Sequence, residues 1–406
     1  MKLLVFLFSV MFCYSGFAQD PLYYKAPLFP EQNSKTKFYT IKGERHGPSF
    51  FKKDSFPEVE YKPTEKLTFD IYHTPDVMYH WYRKWAKEYP DITDLYEVAR
   101  SYEGRPILQM TITNKKTGKH TDKPAAYFEG GRHGGEVTSS ESVLWLTKHI
   151  LENYGKDTEI TKLIDTKTIY VRPQNNPDGT NMYLFSAQSN RSTVRPHDTD
   201  RDGLLDEDTS EDLNDDGIIH MMRKKAITPK EKEKANYIID KRISGDRLMK
   251  QVLEGKGDYI LYSEGIDNDG DEKYNEDGIG GLDLHRNYPE NWRPDTGGDE
   301  TERGYVQFGS GEYPLSEIET KSAFLWFISH PNISVVNSLD TRVPMHLRPP
   351  STSSSEESMF PKDRKIYEYY DSLGLSITGY PWAGDVYNVY HTRRKFNNVT
   401  GDPNKP

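Results

Sequence analysis

The sequence predicts an α/β domain with a mixed, mostly parallel sheet flanked by helices, and three observations predict it. Short apolar runs of strand length alternate with segments of helical period, as in chains whose strands are joined by helices packed on the sheet. A pair of glycines, Gly130 and Gly131, turns the chain between a buried strand and a helix. The polar strings able to do chemistry fall in the turns between these elements, the place where open α/β sheets build their sites.

The elements follow in order. Residues 1–19 read as an export signal: Lys2 carries the charge, an apolar stretch runs from Leu3 to Phe12, and Gly16-Phe17-Ala18 is the small-residue approach to a cut. The only cysteine, Cys13, lies inside that signal, so the exported chain has neither thiol nor disulfide. Residues 20–66 are rich in Pro, Lys and aromatics without a sustained period and read as an extended N-terminal arm. A helix is expected from 75 to about 89, with Val77, Trp81 and Trp85 on one side and Pro90 as its stop. Strands are expected over 94–100 and 106–114 around a turn at Glu103-Gly104, then at 125–128 and 168–172. Helices are expected over 140–154 and 317–329. The first carries Val143, Leu146 and Ile150 on one face and has Ser139 or Ser140 as its cap; the second opens on Ser316-Glu-Ile-Glu-Thr320, a capping-box string. Asn176-Pro-Asp-Gly179 reads as a turn.

With 406 residues the chain can bury a sizeable core, but an apolar content of 34% places much of it in loops. The net charge of −10 is concentrated: ten carboxylates lie between Asp198 and Gly217 against the single Arg201, which leaves the rest close to neutral. No basic stripe is available for phosphates, which excludes nucleic acid as the partner.

His133-Gly-Gly-Glu136 places an imidazole and a carboxylate three residues apart at the strand-to-helix turn. Both can aim at one tetrahedral zinc ion and leave room for one further protein ligand and a water. The acidic segment has a different chemistry. Asp198-x-Asp200-x-Asp202-Gly203 and Asp212-x-Asn214-x-Asp216-Gly217 place oxygen ligands at alternate positions before a glycine, as calcium loops do, and Asp267-x-Asp269-x-Asp271 is a looser third version. Neither of the first two completes an EF-hand, because Thr209 and Arg223 occupy the twelfth positions. The competing reading of each is a plain solvated acidic loop. A structural calcium ion is expected because carboxylates packed together without a cation repel.

Four more strings follow His133-x-x-Glu136 in order: Asn176-Pro-Asp-Gly179, Met221-Met-Arg223-Lys-Lys225, Leu282-Asp-Leu-His285-Arg286-Asn-Tyr-Pro289, and the helix opening at Ser316. In this order the chain resembles the zinc carboxypeptidases of the carboxypeptidase A-like family, from about Leu67 onward. The resemblance implies one domain over 67–406, interrupted by the acidic insertion at about 196–220, that removes C-terminal residues from peptides with metal-activated water. It implies zinc held by His133 and Glu136. It implies that Arg223 polarises the scissile carbonyl, and that Arg286 grips the free carboxylate of a peptide substrate in a bidentate pair.

Three departures accompany the resemblance. His285 stands where the family has the asparagine that helps hold the terminal carboxylate. Asp340 stands where the family has its third zinc ligand, a histidine, and His346 is the alternative if the strand register differs. No string before Pro406 resembles the family's late-strand catalytic glutamate, so the chain reads as lacking the C-terminal part of the domain. The alternative reading is a non-catalytic relative that binds peptide termini or cell-wall peptides without cutting them.

Overall fold

The computed structural model describes residues 66–389 apart from 199–202, 243, 272, 291, 293–308 and 342, together with the backbone of the strands β1 (Tyr39–Ile41) and β2 (Glu44–His46). The export signal, nearly all of the expected arm, and Asp200 and Asp202 of the first acidic loop lie outside the described residues, as does the end of the chain from 390. Two compact units divide at Asp340 and Thr341.

In the first unit, helix α1 (Pro75–Glu88) forms where the period placed it. Thr74 Oγ1 accepts from the Val77 amide, Pro75 occupies the first turn where its missing N–H is not needed, and Val77, Trp81 and Trp85 are buried. Strands β3 (Thr93–Arg100) and β4 (Pro106–Ile112) pair antiparallel, and β5 (Ala125–Glu129) follows. Helix α2 (Val137–Asn153) begins earlier than expected, directly after Glu136 and with no side-chain cap. Ser139 does not cap it: its hydroxyl accepts from the Gly131 amide at 2.8 Å and donates to the Glu136 carbonyl, so it braces the turn instead. Helix α3 (Thr158–Thr166) leads into β6 (Thr168–Arg172), whose five residues are all buried.

The string at 176–179 is more than a turn. It opens helix α4 (Pro177–Phe185), capped by Asn176, whose Oδ1 accepts from the Gly179 amide at 2.9 Å while its Nδ2 donates to the Ser192 carbonyl at 2.7 Å. Asn176→Ala loses the cap and one of the two side-chain donors to the Ser192 carbonyl, so stability to urea is expected to fall by about 1–2 kcal/mol; an unchanged unfolding midpoint would show that the cap is dispensable.

The central sheet runs β11 (Ile333–Ser338), β5, β6, β4, β3. Its β11–β5–β6 half is parallel and its β6–β4–β3 half antiparallel, so the sheet is evenly mixed where a mostly parallel one was expected. The cause is the direct hairpin from β3 to β4, which a chain of strictly alternating strands and helices would not contain. Alternate side chains serve opposite faces. Ile169 and Val171 join Met78, Tyr82, Trp85, Leu144 and Leu151 on one side. Tyr127 and Tyr170 meet Ile318 and Trp326 of helix α6 (Ile318–Ser329) on the other. The string at Ser316 gives α6 no side-chain cap; instead Asn287 Oδ1 accepts from the Glu317 amide and the Thr320 hydroxyl, a tertiary substitute for the box.

Between α4 and α6 the acidic insertion leads into an antiparallel sheet of its own. Strands β7 (Met221–Lys225), β8 (Tyr237–Ile239), β9 (Met249–Gln251) and β10 (Tyr259–Ser263) run in the order β7-β10-β8-β9, and the short helix α5 (Pro229–Lys234) closes with a capping box at Thr228 and Glu231. The second unit holds the parallel pair β12 (Met345–Arg348) and β13 (Trp382–Asp385) with helices α7 (Ser355–Ser358) and α8 (Pro361–Thr378). Within it, His346 Nε2 lies 3.0 Å from Thr378 Oγ1 and Arg348 Nε donates to Asp371 at 2.9 Å. No described helix is long and apolar enough to cross a membrane.

Candidate metal centre

Parallel pairing brings the carboxyl ends of β5 and β11 to one edge of the sheet. Ser338 pairs with Glu129, and the Leu339 amide donates to the Glu129 carbonyl, so Asp340 leaves β11 beside the loop that leaves β5. That loop, residues 130–136, is held from two sides. The Asn175 and Asn176 amides donate to Gly130 and Gly131, and the Gly134 and Gly135 amides donate to Arg191 and Asn190. The glycines are steric requirements. Gly131 sits at φ +61° against Ser140 and Gln174, and a Cβ on Gly134 would stand 2.6 Å from the Gly179 backbone.

His133 is buried at the centre of this loop. Its Nε2 lies 3.2 Å from Asp283 Oδ1, and Asp283 also accepts from Arg191 Nε at 2.9 Å and from the His285 amide at 2.9 Å. The other ring nitrogen, Nδ1, is shielded from solvent. It stands 2.9 Å from Glu136 Oε1 and 3.9 Å from Asp340 Oδ1. Ligand atoms about 2.0–2.1 Å from a tetrahedral zinc ion are separated by roughly 3.4 Å, and the two separations from His133 Nδ1 fall on either side of that value. A carboxylate that receives the far N–H of a ligand histidine is the usual outer support of a zinc site, and Asp283 supplies it.

The charges agree with that geometry. Burial pulls the His133 ring down, but Asp283 and Glu136 outweigh it and hold its pKa above the ordinary value. Burial alone would raise Asp283, yet the bond from His133 and the charges of His133 and Arg191 hold its carboxyl far below the usual carboxylate range. Asp340 is opposed by burial in the same way and is held down at about 2 by His285, His133 and Arg132.

His285 lies against the centre as well. Its Nε2 is 2.8 Å from Asp340 Oδ2, its ring centroid is 4.6 Å from that of His133, and His133, His285 and Asp340 can bring one ligand atom each within 4.8 Å of one another. Arg286, on the same 3-10 turn (Leu284–Arg286), has Nε 3.7 Å from Asp283 Oδ2 and a partly exposed side chain. Arg223 is not brought to this cluster. It sits on β7, where it donates to the Asp246 carbonyl, approaches Met249 Sδ at 3.5 Å and covers the Tyr259 ring at 5.3 Å. The physical reason is that β7 belongs to the separate insertion sheet, pairing Arg223 with Leu261. The guanidinium beside the ligands is Arg191, whose Nη1 is 3.6 Å from Glu136 Oε1. Sequence reasoning missed Arg191, Arg132 and Asp283; only Asp283 had a signal, as the acidic member of the string that holds His285 and Arg286.

The acidic loops order differently from their sequence ranking. In the second loop, Asp212 and Asn214 accept from the Asp216 amide, Asp212 also accepts from the Gly217 amide, and Asp216 contacts His220 at 2.9 Å. Of the first, Asp198 is described and accepts from the Gly203 amide at 3.0 Å. Among the described residues, Asp267, Asp269 and Asp271 of the loosest match offer ligand atoms within 4.8 Å of one another. Beside it, burial and the carboxylates of Asp208 and Asp271 push Glu276 up to about 8.

Residues 78–217 match the family model described as zinc carboxypeptidase. The matched span holds His133, Glu136 and Arg191 and stops before His285 and Asp340. Over 119 residues the chain is 35% identical to carboxypeptidase D of Homo sapiens, covering 29% of this chain and 9% of that one. Over 125 residues it is 34% identical to carboxypeptidase A2 of Mus musculus, covering 31% of this chain and 28% of that one. The chain therefore spans well under two thirds of the length of these curated relatives. Among solved structures, the fold is similar to thrombin activatable fibrinolysis inhibitor, with a TM-score of 0.50 at 17% identity over 78% of this chain and 61% of that one. It is similar also to carboxypeptidase A from Helicoverpa armigera, with a TM-score of 0.50 at 15% identity over 81% and 61%. At those identities the likeness concerns the fold alone.

Proposed function

Because residues 78–217 belong to the zinc carboxypeptidase family, we propose that this chain is an exported zinc-dependent hydrolase that releases C-terminal residues from peptides, with His133, Glu136 and Asp340 as the metal ligands. The observation that carries the proposal is His133: a buried imidazole whose Nε2 meets Asp283 and whose Nδ1 faces the carboxylates of Glu136 and Asp340. When bound, zinc supplies Lewis acidity, polarising a carbonyl oxygen and making water acidic enough to attack it. The residues do the rest. Asp283 keeps the proton on His133 Nε2 and so leaves Nδ1 a lone pair. Arg286, half-exposed beside the centre, offers the planar fork that a terminal carboxylate requires. Arg191 is the positive charge nearest the ligand carboxylates and the better placed of two candidates to meet charge developing on a carbonyl; Arg223, the candidate from the family resemblance, contacts Asp246 and Tyr259 instead.

The test is zinc content after loading and dialysis, followed by release of C-terminal amino acids from a mixed peptide library. Equimolar zinc with release supports the hydrolase. Equimolar zinc without release favours the second reading, a binder of peptide termini, which has its own support in His285 and Asp340 at the two changed positions. Absence of bound zinc removes both in their present form.

Calcium is the second ion of the proposal, held by Asp267, Asp269 and Asp271 with Glu276 alongside, and its role is structural. It carries a pH prediction. The folded-state pKa of Glu276, about 8, lies above the ordinary glutamate value of about 4.3. The folded chain keeps a proton that the unfolded chain has lost, so stability is full below about pH 4 and falls as pH rises toward 8. Calcium can take the place of that proton. Urea unfolding at pH 5 and pH 8 is expected to show a lower midpoint at pH 8 without calcium and a smaller difference with millimolar calcium. An equal pH dependence in both would eliminate the calcium role.

A further inference from the structure

This inference rests on the zinc reading above and concerns His285, which could either bind the metal through Nε2 or donate from it. Arg132 decides between the two. Arg132 Nη1 stands 3.0 Å from His285 Nδ1, and a guanidinium has only donors, so Nδ1 must accept. A neutral imidazole that accepts at Nδ1 carries its proton at Nε2, and that atom faces Asp340 at 2.8 and 3.1 Å. Arg132 is not free to turn away: it is paired with the buried carboxylate of Glu129 and lies over the Tyr288 ring at 5.2 Å.

The two histidines are thus opposites. His133 has a carboxylate behind it at Nε2 and turns Nδ1 toward Glu136 and Asp340, the arrangement that a ligand imidazole needs. His285 has a cation behind it and an N–H in front.

We propose that His285 is a positioning residue: it holds Asp340 through an Nε2–H···O hydrogen bond, takes no coordination position, and leaves His133 as the one imidazole that the metal receives. The changes at 285 and 340 are then a matched pair, since the aspartate on the shorter side chain gains a donor that fixes its carboxylate.

Three measurements on the full chain test this. X-ray absorption at the zinc edge of the loaded protein should fit one imidazole with oxygen donors, and a fit requiring two imidazoles overturns the proposal. In the metal-free protein, nitrogen-15 correlation spectra should show His285 with a bare Nδ1 and a protonated Nε2, the signals being assigned by their loss in His285→Gln; the reverse tautomer overturns it. His285→Gln, whose amide N–H can replace Nε2–H, should keep zinc affinity within about threefold, whereas His285→Leu should lose about 10- to 100-fold, the range typical of outer partners. A hundredfold loss in His285→Gln with an unchanged circular dichroism spectrum would make the ring a ligand after all. If the wild-type chain takes up no zinc, the zinc reading fails, and the tautomer in the metal-free protein still decides whether His285 is the donor to Asp340.

Discussion

Replacing His133 with alanine is expected to weaken zinc binding by at least about a hundredfold, more than the 10- to 100-fold that loss of an outer partner costs. Among the described residues, His285 is the other imidazole beside the centre. His285 presents an N–H rather than a lone pair, and the described contact of His346 is with Thr378 in the other unit. Without His133 the site would be two carboxylates, a harder and less zinc-selective set. Folding should be less affected than binding, because Asp283 keeps its bonds from Arg191 and the His285 amide. Competition against a chromophoric chelator gives the affinity, and a His133→Ala protein that holds zinc as tightly as wild type would place the metal elsewhere.

The second large effect is at Asp283, which is fully buried and joins three groups. Asp283→Ala should reduce zinc affinity about 10- to 100-fold and folding stability by about 3 kcal/mol, since it removes the buried partner of a charged pair. Part of that cost is relieved because Arg191 is partly exposed and can turn to water. Asp283→Asn separates the two effects. The amide keeps the volume and one acceptor, so stability should fall by only about 1–2 kcal/mol. An amide N–H turned toward His133 Nε2 would move the ring proton to Nδ1, however, and zinc affinity should fall as far as in the alanine variant. Calorimetric titration and urea unfolding read the two quantities, and zinc affinity unchanged in both variants would end the claim that Asp283 sets the tautomer.

The resemblance to zinc carboxypeptidases and the turn that carries His133 and Glu136 depend on short-range information, and that is why they were legible in the chain alone. His133 and Glu136 are three residues apart, and the strand-to-helix turn that aims them is set by Gly130 and Gly131. The strand at 168–172 and the helix beginning at Pro75 were legible for the same reason, because burial follows a period of two or of 3.6 residues and Thr74-Pro75 is a local start signal. Local signals failed where a distant group took over their task. The cap expected from Ser139 and the box expected at Ser316 gave way to a brace on Gly131 and to Asn287. Asn176 was readable as a turn residue, but that it caps a buried helix depends on Ser192.

The string around Arg223 shows the limit most clearly. Its spacing matched a family arginine, yet the strands after the acidic insertion pair with one another and keep that side chain over Tyr259. What the sequence by itself determined is the class of domain and the residue types offered near the turn: an imidazole and a glutamate three residues apart, and an aspartate and a histidine further along the chain. Which groups face each nitrogen of His133 and His285, and which arginine stands beside Glu136, were decided only by the tertiary structure. His133 meets Asp283 across 150 residues and His285 meets Asp340 across 55, and hydrogen-bond direction at such contacts is set by what the sheet topology brings opposite each ring.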